Sequence, residues 1–139
     1  MYVLLATDGS AGSRAAIQRV RTFFPHGRID VVSVVPPPVM TSSLNPFSPS
    51  APLMDPQLEE DLATSAIRFA DPCLGEGHGV TYGKLHGDPA TTIVQVAGDR
   101  DVDAIVVGNH GRSALERLVM GSVATAVVNH ATCPVLVLR

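Results

Sequence analysis

The sequence predicts an α/β fold in which a parallel sheet is covered by helices on both faces. Three observations support this fold class. Strand-like and helix-like segments alternate along the whole chain. The strand-like segments are continuous apolar runs, which is typical of strands buried on both faces. Apolar residues make up 45% of the chain and aromatic residues only 4%, so the core should consist mainly of aliphatic side chains. A chain of 139 residues fits a single domain, residues 1–139.

Five segments have the pattern of strands, and they are residues 2–7, 29–35, 80–86, 103–107 and 132–138. The helices between them begin at recognisable caps, namely Ser10, Asp55-Pro56 and Gly87-Asp88-Pro89, and the last helix begins at Gly121-Ser122. Asp71-Pro72 should kink or end the second helix, because a residue before proline avoids the α region.

Residues 36–55 form a loop rich in proline and serine. Such a composition supports neither a helix nor a strand ladder. A loop of this length inside a compact domain is expected to be either disordered or functional. The functional interpretation is a flexible flap over a binding site, with Phe47 or Met40 covering the ligand.

The composition excludes several classes of partner. The net charge is −3 and there is no basic run, so we expect no nucleic-acid partner. Cys73 and Cys133 form no CxxC pair and are expected to be reduced thiols. No apolar run reaches the roughly 20 residues of a membrane span, and the first strand follows Met1 without a basic segment. We therefore expect a soluble, cytoplasmic protein with no membrane association.

Two glycine-containing loops follow predicted strands and indicate an anion-binding site. Gly108-Asn109-His110-Gly111 follows the fourth strand, and Gly121-Ser122 opens the last helix. Glycines allow the backbone to approach a ligand closely, and the free N–H groups of a helix start attract anions. Asp8-Gly9-Ser10 follows the first strand. If strands one and four are neighbours, these loops form the two walls of one crevice at the carboxyl ends of the strands.

The spacing predicts a nucleotide site without a Walker lysine. There is no Gly-Lys-Ser/Thr and no GxGxxG. A helix terminus contributes roughly 0.3–1 kcal/mol per anionic group, whereas micromolar binding needs about 8 kcal/mol. A base pocket must supply the difference, and Val34, Val35 and Pro36 are the predicted walls for an adenine. Arg112 either contacts a phosphate or is a solvated residue paired with Glu116.

Four segments together resemble the universal stress protein family. They are Asp8-Gly9-Ser10, Gly87-Asp88-Pro89, the spacing Gly108-x2-Gly111-x9-Gly121-Ser122, and the terminal Cys133-Pro134-Val135-Leu136-Val137. The resemblance covers the chain except for the proline-rich loop. It implies a Rossmann-like (adenine nucleotide alpha hydrolase-like) three-layer sandwich with a five-stranded parallel sheet. It also implies bound ATP, a homodimer that pairs through the C-terminal strand, and a role in stress responses.

The resemblance also implies roles for individual residues. Thr7, Asp8 and Val34 would lie at the nucleoside, Gly108 and Gly111 along the ribose and phosphates, and Gly121, Ser122 and Val123 at the phosphates. Ala124 departs from the Gly-Ser-Val-Ser pattern of many ATP-binding relatives, and a missing hydroxyl–phosphate bond costs roughly 1.5–3 kcal/mol. ADP or AMP could therefore replace ATP, unless the hydroxyl of the neighbouring Thr125 compensates.

Three functions follow from these features. The first is a regulatory module that binds ATP, with Mg²⁺ accompanying the nucleotide, and that is not a dedicated enzyme. The second is a dimeric interaction module with a vestigial crevice. The third is a slow ATP hydrolase that uses Asp8, although Asp8 could also serve only as a turn former. His110 is either a phosphate donor or a solvated side chain.

Overall fold

The structure is a computed structural model of the chain, and it describes residues 1–37, 55–75, 79–110 and 120–139. Within these ranges, five strands alternate with four helices. In chain order the elements are β1 (Tyr2–Ala6), α1 (Ala11–Phe23), β2 (Arg28–Val35), α2 (Pro56–Leu74), β3 (Val80–His86), α3 (Pro89–Asp99), β4 (Ala104–Gly108), α4 (Ser122–His130) and β5 (Val135–Leu138).

The five strands form one sheet in the order β3-β2-β1-β4-β5, and every neighbouring pair is parallel. The predicted α/β fold with a five-stranded parallel sheet is confirmed. β1 lies at the centre of the sheet, with Val3 opposite Ile29 of β2 on one side and Ala104 of β4 on the other. β3 and β5 form the two edges.

Alternate residues of the strands enter two separate cores, one on each face of the sheet. The first core contains Val3 and Leu5 of β1 and is covered by α1 and α2, with Ile17 and Leu74 among the buried helical residues. The second core contains Leu4 and is covered by α3 and α4 through residues such as Ile93 and Val127. The molecule is therefore a three-layer sandwich whose sheet is buried on both faces, as the apolar strand sequences predict.

The predicted caps begin three of the helices. The side-chain oxygens of Ser10, Asp55 and Asp88 accept a hydrogen bond from a backbone N–H two or three residues later, at 3.2, 2.9 and 2.9 Å. The bonds satisfy donors that the helix itself leaves unpaired. Pro56 and Pro89 occupy the first position of α2 and α3, where a missing N–H costs nothing.

Two predicted boundaries differ from the structure by more than one residue. α2 does not end at Asp71-Pro72 but continues to Leu74, which is only 4% exposed in the first core. Pro72 removes a single hydrogen bond in the last turn, and the burial of Leu74 offsets that loss. β5 begins at Val135 and not at residue 132. Pro134 has no N–H to donate to the ladder, although its carbonyl accepts from the N–H of Ile105 at 2.9 Å.

None of the helices in the described part of the chain combines the length and apolar character that a membrane crossing requires.

Candidate functional site

The predicted adjacency of the first and fourth strands, on which the proposed crevice depends, is confirmed. β1 and β4 are hydrogen-bonded neighbours, and their carboxyl ends lead to helices that cover opposite faces of the sheet. Strand order reverses at this point, because β2 lies beyond β1 on one side and β5 beyond β4 on the other. Ligands of open α/β sheets bind at such a switch point.

The β1–α1 loop forms one wall of the crevice and is held by its own side chains. Asp8 Oδ1 accepts from the N–H of Ser10 at 3.0 Å, so Asp8 does form the turn that was one of its two predicted roles. Gly9 has a φ of 75°, which favours glycine. Thr7 is 4% exposed, and its hydroxyl donates to Ser13 Oγ at 3.1 Å. The Thr7 side chain therefore supports the loop from inside.

The β4 loop packs directly on the first turn of α1. A Cβ at Gly108 would lie 2.5 Å from the Gly12 carbonyl carbon and 2.5 Å from the Ser13 nitrogen. A Cβ at Gly12 would lie 2.6 Å from the carbonyl oxygen of His110, and Ser10 Oγ donates to that oxygen at 3.0 Å. Gly108 is therefore required for contact between two segments of main chain. Sequence reasoning missed Gly12, although the run Ala11-Gly12-Ser13 of small residues is the signal of a close approach.

The N-terminus of α4 forms the opposite wall and differs from the other helix starts. Gly121 is its N-cap and supplies no side-chain cap, whereas side chains cap α1, α2 and α3. The N–H groups of Ser122, Val123 and Ala124 occupy the first turn, where a helix provides no acceptor. Ser122 and Val123 are exposed. The first turn of α4 therefore offers backbone donors and the positive end of the helix dipole beside the loop that follows β4.

One feature of the predicted anion-binding site is wrong. The N–H of Gly121 does not face the crevice as a free donor, because it donates to the carbonyl oxygen of Asn109 at 2.7 Å. The N–H of Asn109 in turn donates to Leu138 O at 2.9 Å. Gly121 therefore fixes α4 to the β4 loop, and the donors available to an anion begin one residue later, at Ser122.

Position 124 contributes no hydroxyl, and its neighbour does not compensate. Ala124 is 4% exposed and belongs to the second core beside Val107. The Thr125 hydroxyl donates to Gly121 O at 3.0 Å, which is a bond back to its own helix. The hydrogen of this hydroxyl is therefore not available to a phosphate.

The predicted adenine walls lie at the carboxyl end of β2, next to β1. Val34 is half-buried and packs against the second core, and Val35 is 6% exposed. The carbonyl of Val35 accepts from the N–H of Gly87 at 3.0 Å, which fixes the end of β2 against the β3–α3 loop. Pro36, the last of the three, is also half-buried.

Several predicted features lie outside the described residues. These are Gly111 and Arg112 with its possible partner Glu116, and Met40 and Phe47 of the proline-rich loop. His110 is described: its Nε2 is buried and has no hydrogen-bond partner among the described residues, so this nitrogen is not solvated.

A second polar cluster lies at the carboxyl end of the edge strand β3. Glu60 of α2 pairs with Lys84 and, at 2.6 Å, with His86 Nε2. The hydrogen bond from Lys84, followed by that from His86, lowers the pKa of Glu60. The only lysine of the chain is thus engaged with Glu60, two strands away from β1.

Comparison with known proteins identifies the family of this chain. The whole chain, residues 1–139, matches the model of the universal stress protein family. A universal stress protein of Mycolicibacterium smegmatis is 31% identical over 145 residues, covering 99% of this chain and 47% of that protein. One of Methanocaldococcus jannaschii, MJ0531, is 47% identical over 55 residues, covering 40% of this chain and 32% of that protein. The chain thus spans less than half the length of these two relatives.

Solved structures show the same fold. The universal stress protein UspA from Lactobacillus plantarum superposes with a TM-score of 0.75 at 25% identity, covering 100% of this chain and 97% of that one. A universal stress protein from Archaeoglobus fulgidus in complex with dAMP has a TM-score of 0.61 at 18% identity, covering 100% and 98%. The chain belongs to the universal stress protein family.

Proposed function

We propose that this universal stress protein binds an adenine nucleotide, either ATP or in its place ADP or AMP, in the crevice between the β1–α1 loop and α4. The observation that carries the proposal is the first turn of α4, which lies at the switch point of the sheet without a side-chain cap. The phosphates would accept from the N–H groups of Ser122 and Val123. The complex of the Archaeoglobus fulgidus relative with dAMP supports an adenine nucleotide as the ligand class.

The N-terminus of α4 can supply only a part of the binding free energy, so other groups must supply most of it. A helix start contributes up to about 2 kcal/mol even when partly buried, and micromolar binding requires about 8 kcal/mol. We propose that Val34, Val35 and Pro36 provide apolar contact with the base, and that Thr7 and Asp8 hold the loop beside the nucleoside. Gly108 positions the β4 loop against α1. We propose, from the family resemblance, that Gly111 and Arg112 are the residues that would contact the phosphates.

We propose a regulatory role in the stress response and no dedicated catalytic activity. Mg²⁺ would accompany the phosphates of the nucleotide, and binding would order the crevice and change a surface that a partner protein recognises.

Isothermal titration calorimetry with ATP, ADP and AMP, each with and without Mg²⁺, tests the proposal. We expect saturable binding that is lost in Gly121→Val, because a branched side chain would stand at the mouth of the helix start. Gly121 has a φ of −62°, which valine tolerates. Gly98→Val is the matched control, since a Cβ at Gly98 meets nothing within 4 Å. No heat from the folded protein at millimolar nucleotide would refute the proposal.

The second candidate is an interaction module whose crevice no longer binds a ligand. Two observations favour it: the apolar Ala124 and the commitment of the Gly121 N–H to Asn109. Under this alternative, neither nucleotide nor Gly121→Val changes the association of the protein with itself or with partners. Calorimetry and sedimentation together separate the two candidates.

We also propose a homodimer that pairs through β5. β5 is an edge strand, and an exposed ladder invites pairing with another chain. The bonds from Ile105 N to Pro134 O and from Asn109 N to Leu138 O fix the parallel ladder with β4. The alternation of a parallel ladder then directs the N–H groups of Val135 and Val137 outward.

Sedimentation velocity at tens of micromolar tests the dimer. We expect a dimer for the natural sequence and a monomer for Val137→Pro, because proline removes an outward donor without removing a bond to β4. Val137→Thr keeps the N–H and is the control. A monomeric natural protein would contradict the proposal.

We propose a cytoplasmic location, with which the two free thiols Cys73 and Cys133 are compatible. Cell fractionation with an antibody to the protein tests this.

A further inference from the structure

A polar pocket opens at the amino end of the sheet, at the opposite end of the strands from the nucleotide crevice. Its volume is about 410 Å³, within the roughly 300–1,000 Å³ of small-molecule sites. The side chains and main chain that line it include Tyr2, Arg28, Asp30, Thr81, Gly83 and Arg100. They come from the beginnings of three adjacent strands and from the end of α3.

The base of the pocket is a buried carboxylate. Asp30 is 3% exposed and accepts hydrogen bonds from the hydroxyls of Tyr2 and Thr81 and from Arg100 Nη1, the last at 2.8 Å. Burial alone would raise the pKa of Asp30, but the hydrogen bonds from Thr81, Tyr2 and Arg100 together lower it. Asp30 is therefore ionised near neutral pH, and Arg100 balances its charge.

Arg28, the second arginine of the pocket, adds a further positive charge to the lining. The Arg28 guanidinium carbon lies 4.4 Å from the centroid of the Tyr2 ring, a distance typical of a cation–π contact. The Tyr2 hydroxyl is fixed by Asp30, so the ring provides a rigid support for the guanidinium. Arg28 has no ion pair with any described residue. Two arginines against one aspartate give the lining a charge of about +1, and the Arg28 guanidinium contributes five N–H donors to it.

The floor of the pocket is kept clear by Gly83. A Cβ there would meet only Val32 Cγ1, at 3.9 Å, so a larger side chain would fit the sheet but fill the pocket. Gly83 pairs with Val32 in a regular register and carries no positive φ. The open floor is thus a property of this sequence and not a requirement of the strand.

We propose that this pocket binds a small organic monocarboxylate, with Arg28 as the principal ligand-binding residue and Arg100 as the second. A guanidinium binds a planar carboxylate through two parallel hydrogen bonds. The charge of the lining matches one negative charge. A phosphate group carries nearly two negative charges near neutral pH, which is more than the single positive charge of this lining balances, and this favours a monocarboxylate over a phosphate.

The test is an NMR titration of the ¹⁵N-labelled full chain with sodium acetate, at an ionic strength held constant with sodium chloride. We expect saturable shifts in the millimolar range for the backbone N–H groups of Arg28 and Gly83 and for the Nε–H of Arg28. Arg28→Gln should weaken binding at least tenfold. Arg68→Gln, on the exposed side of α2, removes the same charge and should leave binding unchanged.

A second variant separates the pocket from simple charge effects. Gly83→Val fills the floor with a residue that suits a strand, and it should abolish the shifts without changing any charge. Non-saturating shifts, equal weakening by Arg68→Gln, or unchanged binding in Gly83→Val would overturn the proposal. Tighter binding of inorganic phosphate than of acetate would overturn the assignment of a monocarboxylate. Acetate binding should persist in Gly121→Val, so this site and the nucleotide site succeed or fail separately.

Discussion

The two ends of the sheet carry polar sites of different kinds, one formed mainly by main-chain groups and the other by side chains. At the carboxyl end, the crevice is made mostly of main chain: N–H groups at the start of α4, and the contact of Gly108 with the first turn of α1. At the amino end, the pocket is made of charged and hydroxyl side chains that converge on Asp30. The difference teaches that the main-chain contact at Gly108 should be most sensitive to an added atom, whereas the hydrogen-bonded cluster around Asp30 should be most sensitive to a removed one.

The largest expected effect is at the amino end, where Asp30→Ala removes an acceptor shared by three donors. Tyr2 and Thr81 lose a buried partner and Arg100 loses its counter-charge. We expect a loss of about 3 kcal/mol in the free energy of unfolding, measured by urea denaturation. Asp99→Ala, at an exposed position, is the control and should change stability by less than about 0.5 kcal/mol. An equal loss in both variants would show that Asp30 has no special structural role.

The converse change at the carboxyl end is Gly108→Ala. The added Cβ would lie 2.5 Å from main-chain atoms of Gly12 and Ser13, so α1 and β4 must separate. We expect a loss of roughly 2 kcal/mol in stability, together with weaker nucleotide binding. Gly98→Ala adds the same atom in open space on α3 and should be neutral or stabilising by up to about 1 kcal/mol. If Gly108→Ala is as benign as Gly98→Ala, the main-chain contact is not rigid.

A smaller effect is expected from restoring a hydroxyl at the start of α4. Ala124→Ser offers one more donor to a phosphate, and we expect ATP to bind about tenfold more tightly, which corresponds to roughly 1.4 kcal/mol. Calorimetry on Ala124→Ser and on Ala126→Ser, a half-buried position of the same helix, gives the comparison. Unchanged affinity in Ala124→Ser would mean that the buried orientation of position 124 keeps the hydroxyl away from the ligand.

The smallest effect is the part of the acid sensitivity of stability that Asp30 contributes. Hydrogen bonds lower the pKa of Asp30 in the folded protein, while its unfolded value is about 3.9. The stabilisation is therefore complete above about pH 4 and is lost as the pH falls through the lower, folded pKa. The natural protein should lose stability relative to Asp30→Asn below about pH 4, measured as urea midpoints. Glu60 and Asp88 titrate in both proteins, so their contributions cancel; parallel pH profiles would contradict this account.

The fold was predictable because its signals are local. Apolar runs marked all five strands, and Ser10, Asp55 and Asp88 marked three helix starts at the residues where the structure has them. The course of α2 past Pro72 was not predictable, because it depends on burying Leu74 in a core assembled from distant segments.

The site at the carboxyl end was only partly predictable, and the pocket at the amino end was not predicted at all. Glycine spacing predicted a site at the loops after β1 and β4, but the bond from the Gly121 N–H to Asn109 and the close approach of Gly12 to His110 depend on how β4 and α1 pack. Tyr2, Asp30, Thr81 and Arg100 are far apart in sequence and form no motif. Only the register of β1, β2 and β3 brings the first three together.

The two backbone hydrogen bonds of Asn109 affect how the structure would respond to a bound ligand. Its N–H is bound to the last residue of β5 and its carbonyl to the first residue of the α4 start, at 2.9 and 2.7 Å. Asn109 thus links the N-terminus of α4, where a phosphate would bind, to the edge strand β5, where a second polypeptide chain could pair. A displacement of that helix by even a fraction of an ångström must be absorbed either by stretching one of these two bonds or by moving the rim of the sheet.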